Sequence, residues 1–311
     1  MSSHFADSSS PLGAIAAQPS YVVLPRITPS SPHYLTVLDF LIAKFEQIPA
    51  DVWLERIKQG KVHWQNGQLI SAQTPYEATQ RVYYFREVSI EKKVPFTEEI
   101  LYQDDHKIIA YKPHFLPVTP GGDYVNECLV HRLRLRTGID TIAPAHRLDK
   151  DTAGVMLMTV NPDTRHAYHQ LFLDGRIKKT YQAVARLNKS VASQALPQSW
   201  TVKNRLQRGV PSFTMQVVDG VSNSHSEIKL LEIHNNLGLF ELEPVTGKTH
   251  QLRVHMQSLG MPILHDRFYP ALQPKGDDNY QQPLQLLAKR LQFIDPISQQ
   301  VNDWQVKELI I

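Results

Sequence analysis

Residues 143–159 read APAHRLDKDTAGVMLMT, and this stretch decides how the rest of the chain is read. The run from Val155 to Val160 is apolar and of strand length, which suits a strand buried on both faces. Lys150 to Gly154, KDTAG, has the texture of a turn. Arg147 and Asp149 are two residues apart, so on an extended chain both project to one face. A carboxylate at the lip of a rigid strand is well placed for chemistry in a cleft. By itself, an Asp before a turn is more often a structural hydrogen-bond acceptor.

Working outward, short β-branched and apolar runs recur: KIIAYK (107–112), TYQAVARL (180–187), TMQVV (214–218), IKLLEIH (228–234) and LGLFELEPV (237–245). Gly, Pro and Asn punctuate them, which predicts strands separated by turns. Two stretches predict helices. One covers Asp163 to Leu173, with Asp163 as cap and Gly175 as terminator; the other covers Lys248 to Leu259, ended by Gly260. Strands dominate without regular alternation, so residues 96–311 are expected to form an α+β domain, a mixed, mainly antiparallel sheet with flanking helices.

The chain before Phe96 has a different texture. Leu38, Leu41, Ile42 and Phe45 recur at helical spacing between Leu35 and Ile48, and Pro49 ends that helix. Asp51 is expected to cap a second helix running through Ile57. Gly60 follows, then VHWQNGQLI (62–70), in which Asn66-Gly67 is a hairpin signal. Residues 33–95 thus predict a helix-helix-hairpin module, with Arg56, Lys58 and Lys61 near the second helix end. Residues 1–32, rich in Ser, Pro and Ala, are expected to be a poorly ordered arm.

Composition narrows the function classes. The 311 residues are 42% hydrophobic and 20% charged, as in ordinary globular proteins. A single cysteine, Cys128, excludes a disulfide framework or a thiolate metal cluster within one chain and fits a reducing compartment. There is no run of 18 apolar residues and no secretory-type start, so a cytoplasmic protein with no membrane partner is expected. A net charge of +3 and a pI near 8.8 are compatible with a polyanionic partner without requiring one.

The segment HRLDKDTAG (146–154) resembles the signature of RluA-type pseudouridine synthases, H-R-L-D-x-x-T-[S or A]-G followed by an apolar strand. Further resemblances follow in order. YKPHFLPVTPGG (111–122) is similar to the family's K-P-x-G-[LM]-x-V-x-P, and RIKKTYQAVA (176–185) to its K-x-Y-x-A-x-V. EPVTGKTHQLRVHMQSLGMPILHD (243–266) resembles T-G-R-T-H-Q-[IL]-R-V-H with G-x-P-[IL]-x-G-D. LQLLAKRLQFIDP (284–296) looks like the closing motif. The helix-helix-hairpin module resembles the alpha-L RNA-binding module that often precedes such catalytic domains.

The resemblance implies an RNA-directed isomerase that moves uracil from its nitrogen to its carbon 5 linkage on the ribose, in ribosomal or transfer RNA. No redox change occurs and no group is lost, so no cofactor and no metal are expected; a monomer is the default. Asp149 aligns with the catalytic carboxylate, as nucleophile or base. Arg253 matches the arginine that pairs with it, and Tyr181 the tyrosine that stacks on the target base. Arg147 is expected to contact RNA beside the site, and His146, Lys112 and Lys248 to take part in substrate binding. Leu264 is expected to line the pocket. Arg132, Arg134, Arg136, Lys178 and Lys179 add to a possible RNA-facing surface, Arg132 and Arg136 sharing a helix face.

Departures from the pattern are Phe115 and His265 where glycine is usual, Ala153 for serine, Lys248 for arginine and Leu287 for histidine. At His265 the backbone path is expected to differ, since glycine often serves a tight turn. The principal alternative is a non-catalytic RNA-binding or ribosome-assembly protein that retains the fold. A metal-dependent hydrolase is disfavoured because His166/His169 and His250/His255 lack an HExxH arrangement. A nucleosidase acting on free nucleosides would leave the N-terminal module unexplained.

Overall fold

The computed structural model describes residues 13–29 and 32–310. The chain divides into two compact units, one comprising residues up to Lys92 with Pro120–Asn126, the other Lys93–Thr119 with Glu127–Ile311.

The first unit contains β1 (Ala14–Ile15), β2 (Ser20–Val23), α1 (Val37–Lys44), α2 (Ala50–Lys58), β3 (Val62–Trp64), β4 (Arg81–Tyr84) and β5 (Glu87–Val88). Strands β2, β4 and β3 form a small antiparallel sheet, and β1 pairs with β5. Thr36 caps α1 in a capping box with Asp39, which satisfies two of the amide groups left open at a helix start. Pro49, not Asp51, stands at the cap of α2 and makes no side-chain cap; Asp51 lies in the first turn, where its charge suits the helix dipole. The turn at Asn66-Gly67 forms as expected, with Gly67 at φ 84° and Trp64 and Gln68 bonded across it. Leu24, Phe40, Leu41, Trp53, Val62 and Val82 pack into one core. The expected arm is partly built into this unit: Tyr21 and Val23 alternate with inward Val22 and Leu24, so β2 pairs in full with β4. Residues 1–12, 30 and 31 of that arm lie outside the described residues.

The second unit is built on an 11-stranded sheet. Its elements are β6 (Glu99–Gln103), β7 (Lys107–Lys112), α3 (Leu129–Thr137), β8 (Ala143–Pro144), β9 (Ala153–Thr159), α4 (Arg165–Leu173), β10 (Lys178–Arg186), α5 (Lys189–Ala192), β11 (Gln198–Arg208), β12 (Met215–Val218), β13 (Ser224–His234), β14 (Leu237–Pro244), α6 (Gln251–Ser258), β15 (Leu286–Ile294) and β16 (Val301–Gln305). The order is β12-β11-β13-β14-β10-β15-β9-β7-β6, with β16 on β15 and β8 on β9. Its pairs are antiparallel except β15 with β9, so the fold is α+β with a mainly antiparallel sheet.

That parallel pair positions the site. All seven residues of β9 are buried. Gly154, at φ 133°, lies so close to β15 that an added Cβ would stand 2.3 Å from the Ala288 carbonyl oxygen. The glycine of KDTAG is therefore where two central strands meet and where a side chain has no room. Thr164, not Asp163, stands at the N-cap of α4 and makes no side-chain cap; Gly175 is left-handed just beyond the helix end, as expected. Helix α6 is shorter than the sequence pattern, because Lys248 and Thr249 remain in the approaching loop and His250, at φ 51°, turns the chain into it.

Candidate active site

The loop between β8 and β9 carries Asp149 and is fixed through its backbone. The Thr152 N–H donates to the Asp149 carbonyl at 3.1 Å, closing a turn. The Lys150 carbonyl accepts from the Lys112 ammonium at 3.0 Å, and the Asp151 carbonyl from His114 Nδ1 at 2.7 Å. The Lys150 ammonium is held by both oxygens of Asp278, at 2.7 and 2.8 Å. The turn is thus held through its backbone carbonyls and the Lys150 ammonium, and the Asp149 side chain projects from its lip. Burial lowers the proton affinity of His114 to a pKa of about 4, so the ring is neutral and its Nδ1–H donates.

On the other side of the carboxylate lies α6. Arg253 is buried and donates from Nε and Nη2 to Asp266 at 2.7 and 2.6 Å, a bidentate pair. Asp266 also accepts from the backbone N–H of Phe268 and of Tyr269. The guanidinium lies over the rings of Phe268 and Tyr269, 4.8 and 5.4 Å from their centroids. Its remaining nitrogen, Nη1, faces Asp149 Oδ2 at 3.4 Å. Asp266 first, and Asp149 and Asp151 after it, hold Arg253 charged against its burial. His250 Nε2 is 3.7 Å from the same Asp149 oxygen, and its Nδ1 is 2.9 Å from the Tyr269 hydroxyl. A Tyr269 that donates to Nδ1 puts the ring proton on Nε2, toward Asp149.

Asp149 and Arg253 line an open cavity of about 950 Å³ together with His146, Arg147, Lys179, Tyr181, Lys248 and His250. Tyr181, on β10, pairs with Leu242 on one side and Ala288 on the other. Burial, and then the nearby Asp149 charge, pushes its hydroxyl well above the ordinary tyrosine range, so it is a neutral ring. The Asp149 side chain keeps 31% of its exposure, so a substrate entering this cavity would complete its desolvation.

Several expected residues are placed differently. Lys112 does not face a ligand: it is fully buried and donates to the carbonyls of Pro113, Leu116 and Lys150. It acts beneath the Asp149 turn. His146 lines the cavity wall, but its Nε2 accepts from the Leu157 N–H at 3.1 Å and its ring stacks on Phe172 at 4.6 Å. Burial, and then the Lys179 charge, lowers its pKa to about 3. Leu264 is half-buried, bonded by its backbone to Val184 and Gln285, and is not among the cavity-lining residues. Arg132 and Arg136 do share a face, but it binds Glu98, with Glu127 on Arg132 as well, while Arg134 donates to the Ile142 carbonyl. Lys178 pairs with Glu243. Arg147 and Lys248 are exposed at the cavity rim.

The sequence reading missed Asp266 as the principal partner of Arg253, and missed His250, Phe268 and Tyr269. Asp266 and His250 sit inside the quoted motifs. Phe268 and Tyr269 lie beyond them and carried no signal.

The two glycine replacements keep glycine-like backbones. Phe115 has φ 65° and His265 φ 62°, so the path at His265 is the left-handed turn that glycine favours, held by another residue. Phe115 is buried between Phe96 and Tyr280.

Among the described residues no helix is long and apolar enough to cross a membrane, and no group of three or more His, Cys, Asp or Glu is arranged to hold a metal ion.

Comparison with known proteins gives the family. Residues 106–258 match the family model described as RNA pseudouridylate synthase. The chain is 32% identical over 211 residues to a dual-specificity RNA pseudouridine synthase RluA of Pasteurella multocida, covering 65% of this chain and 89% of the relative. It is 32% identical to a ribosomal large subunit pseudouridine synthase C of Rickettsia typhi, covering 69% of each. Among solved structures, human RNA pseudouridylate synthase domain containing 1 shares the fold with a TM-score of 0.56 at 21% identity, over 70% of this chain and 86% of that one. From the 89% of the Pasteurella relative that it spans at 32% identity, the chain belongs to the RluA-type family of RNA pseudouridine synthases, which are isomerases.

Proposed function

We propose that the protein isomerises a uridine of ribosomal or transfer RNA in the cytoplasm, with Asp149 as the catalytic carboxylate. The observation that carries this reading is the Asp149 carboxylate 3.4 Å from the guanidinium of Arg253, inside a cavity that Tyr181 also lines. In the net reaction the bond from ribose C1′ to uracil N1 breaks and one from C1′ to C5 forms. The C5 proton is lost and N1 gains one, so atoms and charge balance without a cofactor. A carboxylate begins this either as a nucleophile or as a base, and both roles need it ionised and shielded from water. Arg253 holds the negative charge in place as substrate displaces water.

The reacting uracil must leave the RNA stack to reach the carboxylate. Tyr181 presents a neutral ring on the cavity wall for it, and Arg147 lies exposed at the rim, where it meets the strand from which the base is drawn. The smaller N-terminal unit serves as an RNA-binding module in this reading; the end of its second helix carries Arg56 and Lys58. Arg56 and Lys61 are both engaged by Glu87, so Lys58 and exposed groups around them are left for phosphate.

The test is to map pseudouridine in total RNA from a strain lacking the gene. A site that disappears, returns with the intact protein and does not return with Asp149→Asn supports the reading. The expected fall in turnover for Asp149→Asn is about a thousandfold. Unchanged pseudouridine in every RNA class would sink it. A phenotype rescued equally by Asp149→Ala would instead favour a non-catalytic RNA-binding role.

A further inference from the structure

Lys179 stands on β10 two residues before Tyr181, so both side chains leave the same face of the strand and both line the catalytic cavity. It is half-buried, and burial lowers its proton affinity with no compensating partner. Every other Lys or Arg among the described residues that is half-buried or deeper has one. Arg56 and Lys61 have Glu87; Lys107 has Asp104 and Asp295; Arg132 has Glu98 and Glu127. Lys150 and Arg267 have Asp278, Arg253 has Asp266, Lys289 has Glu308 and Arg290 has Asp303. Lys112, Arg86, Arg134 and Arg165 donate to carbonyls. A partly desolvated ammonium without an anion is unfavourable, so its retention inside a cavity calls for an anion that arrives from outside.

The loop facing it comes close to the ammonium. A Cβ built on Gly247 would lie 3.8 Å from the Lys179 ammonium, so the glycine leaves open the space between the loop and the charge. The next residue, Lys248, is exposed at the cavity rim and adds a second positive charge. The neighbouring lysine, Lys178, points to the other face and is paired with Glu243, so the unpaired charge is confined to the cavity side.

We infer that Lys179 and the Gly247–Lys248 loop form a phosphate subsite that binds the phosphodiester of the nucleotide whose base lies against Tyr181. This rests on the reading of the chain as acting on RNA, and adds which group of the substrate is held and by what. Successive same-face residues of a strand are about 6.4–6.8 Å apart, comparable to the reach from a nucleobase to its own phosphate. The phosphodiester is unchanged while the glycosidic bond is broken and remade. The contact is therefore equal in ground and transition states and acts on KM rather than kcat.

The experiment uses bulk RNA labelled with tritium at uridine C5, taken from a strain lacking the gene, and follows tritium release by the full-length protein. Uridine, uridine 5′-monophosphate and uridine 3′-monophosphate are the competitors. One of the monophosphates is expected to inhibit about tenfold more tightly than uridine, as charge-assisted phosphate contacts do. In Lys179→Met that advantage disappears, uridine inhibits as before, KM for RNA rises and kcat stays within about threefold. The salt dependence of KM falls by about one phosphate contact. Lys179→Met is also expected to melt no lower than the native protein, since it removes an unpaired, half-buried charge; Lys179→Gln serves if the methionine variant does not fold. Equal inhibition by uridine and both monophosphates, or a phosphate advantage that survives in the variant, overturns the subsite. Absence of tritium release by the native protein would count against the enzymatic reading instead, and equilibrium dialysis of the same nucleotides then decides the subsite independently of turnover.

Discussion

The two walls that flank Asp149 are held by different physics. On the β9 side, neutral and cationic donors clamp backbone carbonyls: Lys112 on Lys150, His114 on Asp151, and Thr152 on Asp149 itself. On the α6 side, one buried guanidinium is locked by one buried carboxylate, Asp266, and only its leftover nitrogen faces Asp149. The first wall fixes where the chain runs; the second fixes a charge. A guanidinium shared equally between two carboxylates would shift whenever one of them reacted. Here Asp266 supplies the strong pair, so Arg253 keeps its place whatever happens at Asp149.

That difference predicts the largest effect. Arg253→Met leaves Asp266 charged and buried without its partner, and should lower stability by about 3–5 kcal/mol in chemical denaturation. Adding Asp266→Leu removes the stranded charge and should restore much of the loss, while tritium release stays absent because Asp149 still lacks its cation. If the double variant were no more stable than the single one, the α6 wall would not be organised around this pair. Mutation on the β9 side acts by shape instead. Gly154→Ala forces a Cβ to within 2.3 Å of the Ala288 carbonyl oxygen and a left-handed backbone on alanine, and should cost about 3 kcal/mol. A native-like melting point for that variant would show that β9 and β15 can part without harm.

Acid should test the β9 wall through His114. His114 has a folded pKa of about 4 against an ordinary 6.5, so the unfolded chain takes up protons that the folded one refuses. The stabilisation from its neutral ring is complete above pH 6.5 and is lost as pH falls toward 4. It amounts to about 3 kcal/mol, an order-of-magnitude figure. On the α6 side His250 and His255 are likewise held below the ordinary imidazole value by burial, and they add to the loss in acid. Urea denaturation at pH 7, 6 and 5 should therefore show falling stability, with a shallower slope in His114→Gln. Equal slopes would remove His114 from the account.

How far this site was legible depended on whether the signal was local. The turn, the buried strand after it and the left-handed Gly67 and Gly175 follow from short-range backbone rules, and they stand where the sequence put them. The pairing of Asp149 with Arg253, 104 residues apart, came from motif resemblance and not from periodicity. Lys112 was misplaced because a lysine beside a proline gives no sign of whether its ammonium meets phosphate or three carbonyls; only the path of the surrounding loops decides that. Arg132 and Arg136 were read correctly as one helical face, but their partner Glu98 lies outside the helix and had no sequence mark. Phe268 and Tyr269 follow the motif ending at Asp266, and their rings matter only because the chain turns back over Arg253.

The smallest effect tests whether the replaced glycines are functional or tolerated. His265 adopts φ 62°, and its Nδ1 is 3.2 Å from the Pro283 carbonyl oxygen. A left-handed conformation costs a non-glycine residue about 1–2 kcal/mol, and glycine gives back roughly 0.5–1 kcal/mol of that in lost chain entropy. His265→Gly also loses one modest hydrogen bond, worth about 1 kcal/mol. The terms nearly cancel, so the melting midpoint should move by less than about 1 °C in either direction, a shift of under about 1 kcal/mol for a chain of this size. Because Asp266 is the next residue and orients Arg253, tritium release is the sharper readout. Unchanged turnover shows that the α6 wall needs the left-handed backbone there and not the imidazole. A tenfold loss at unchanged stability would mean that the histidine ring itself helps to set Asp266, and that the two sides of the site are less separable than their contacts indicate.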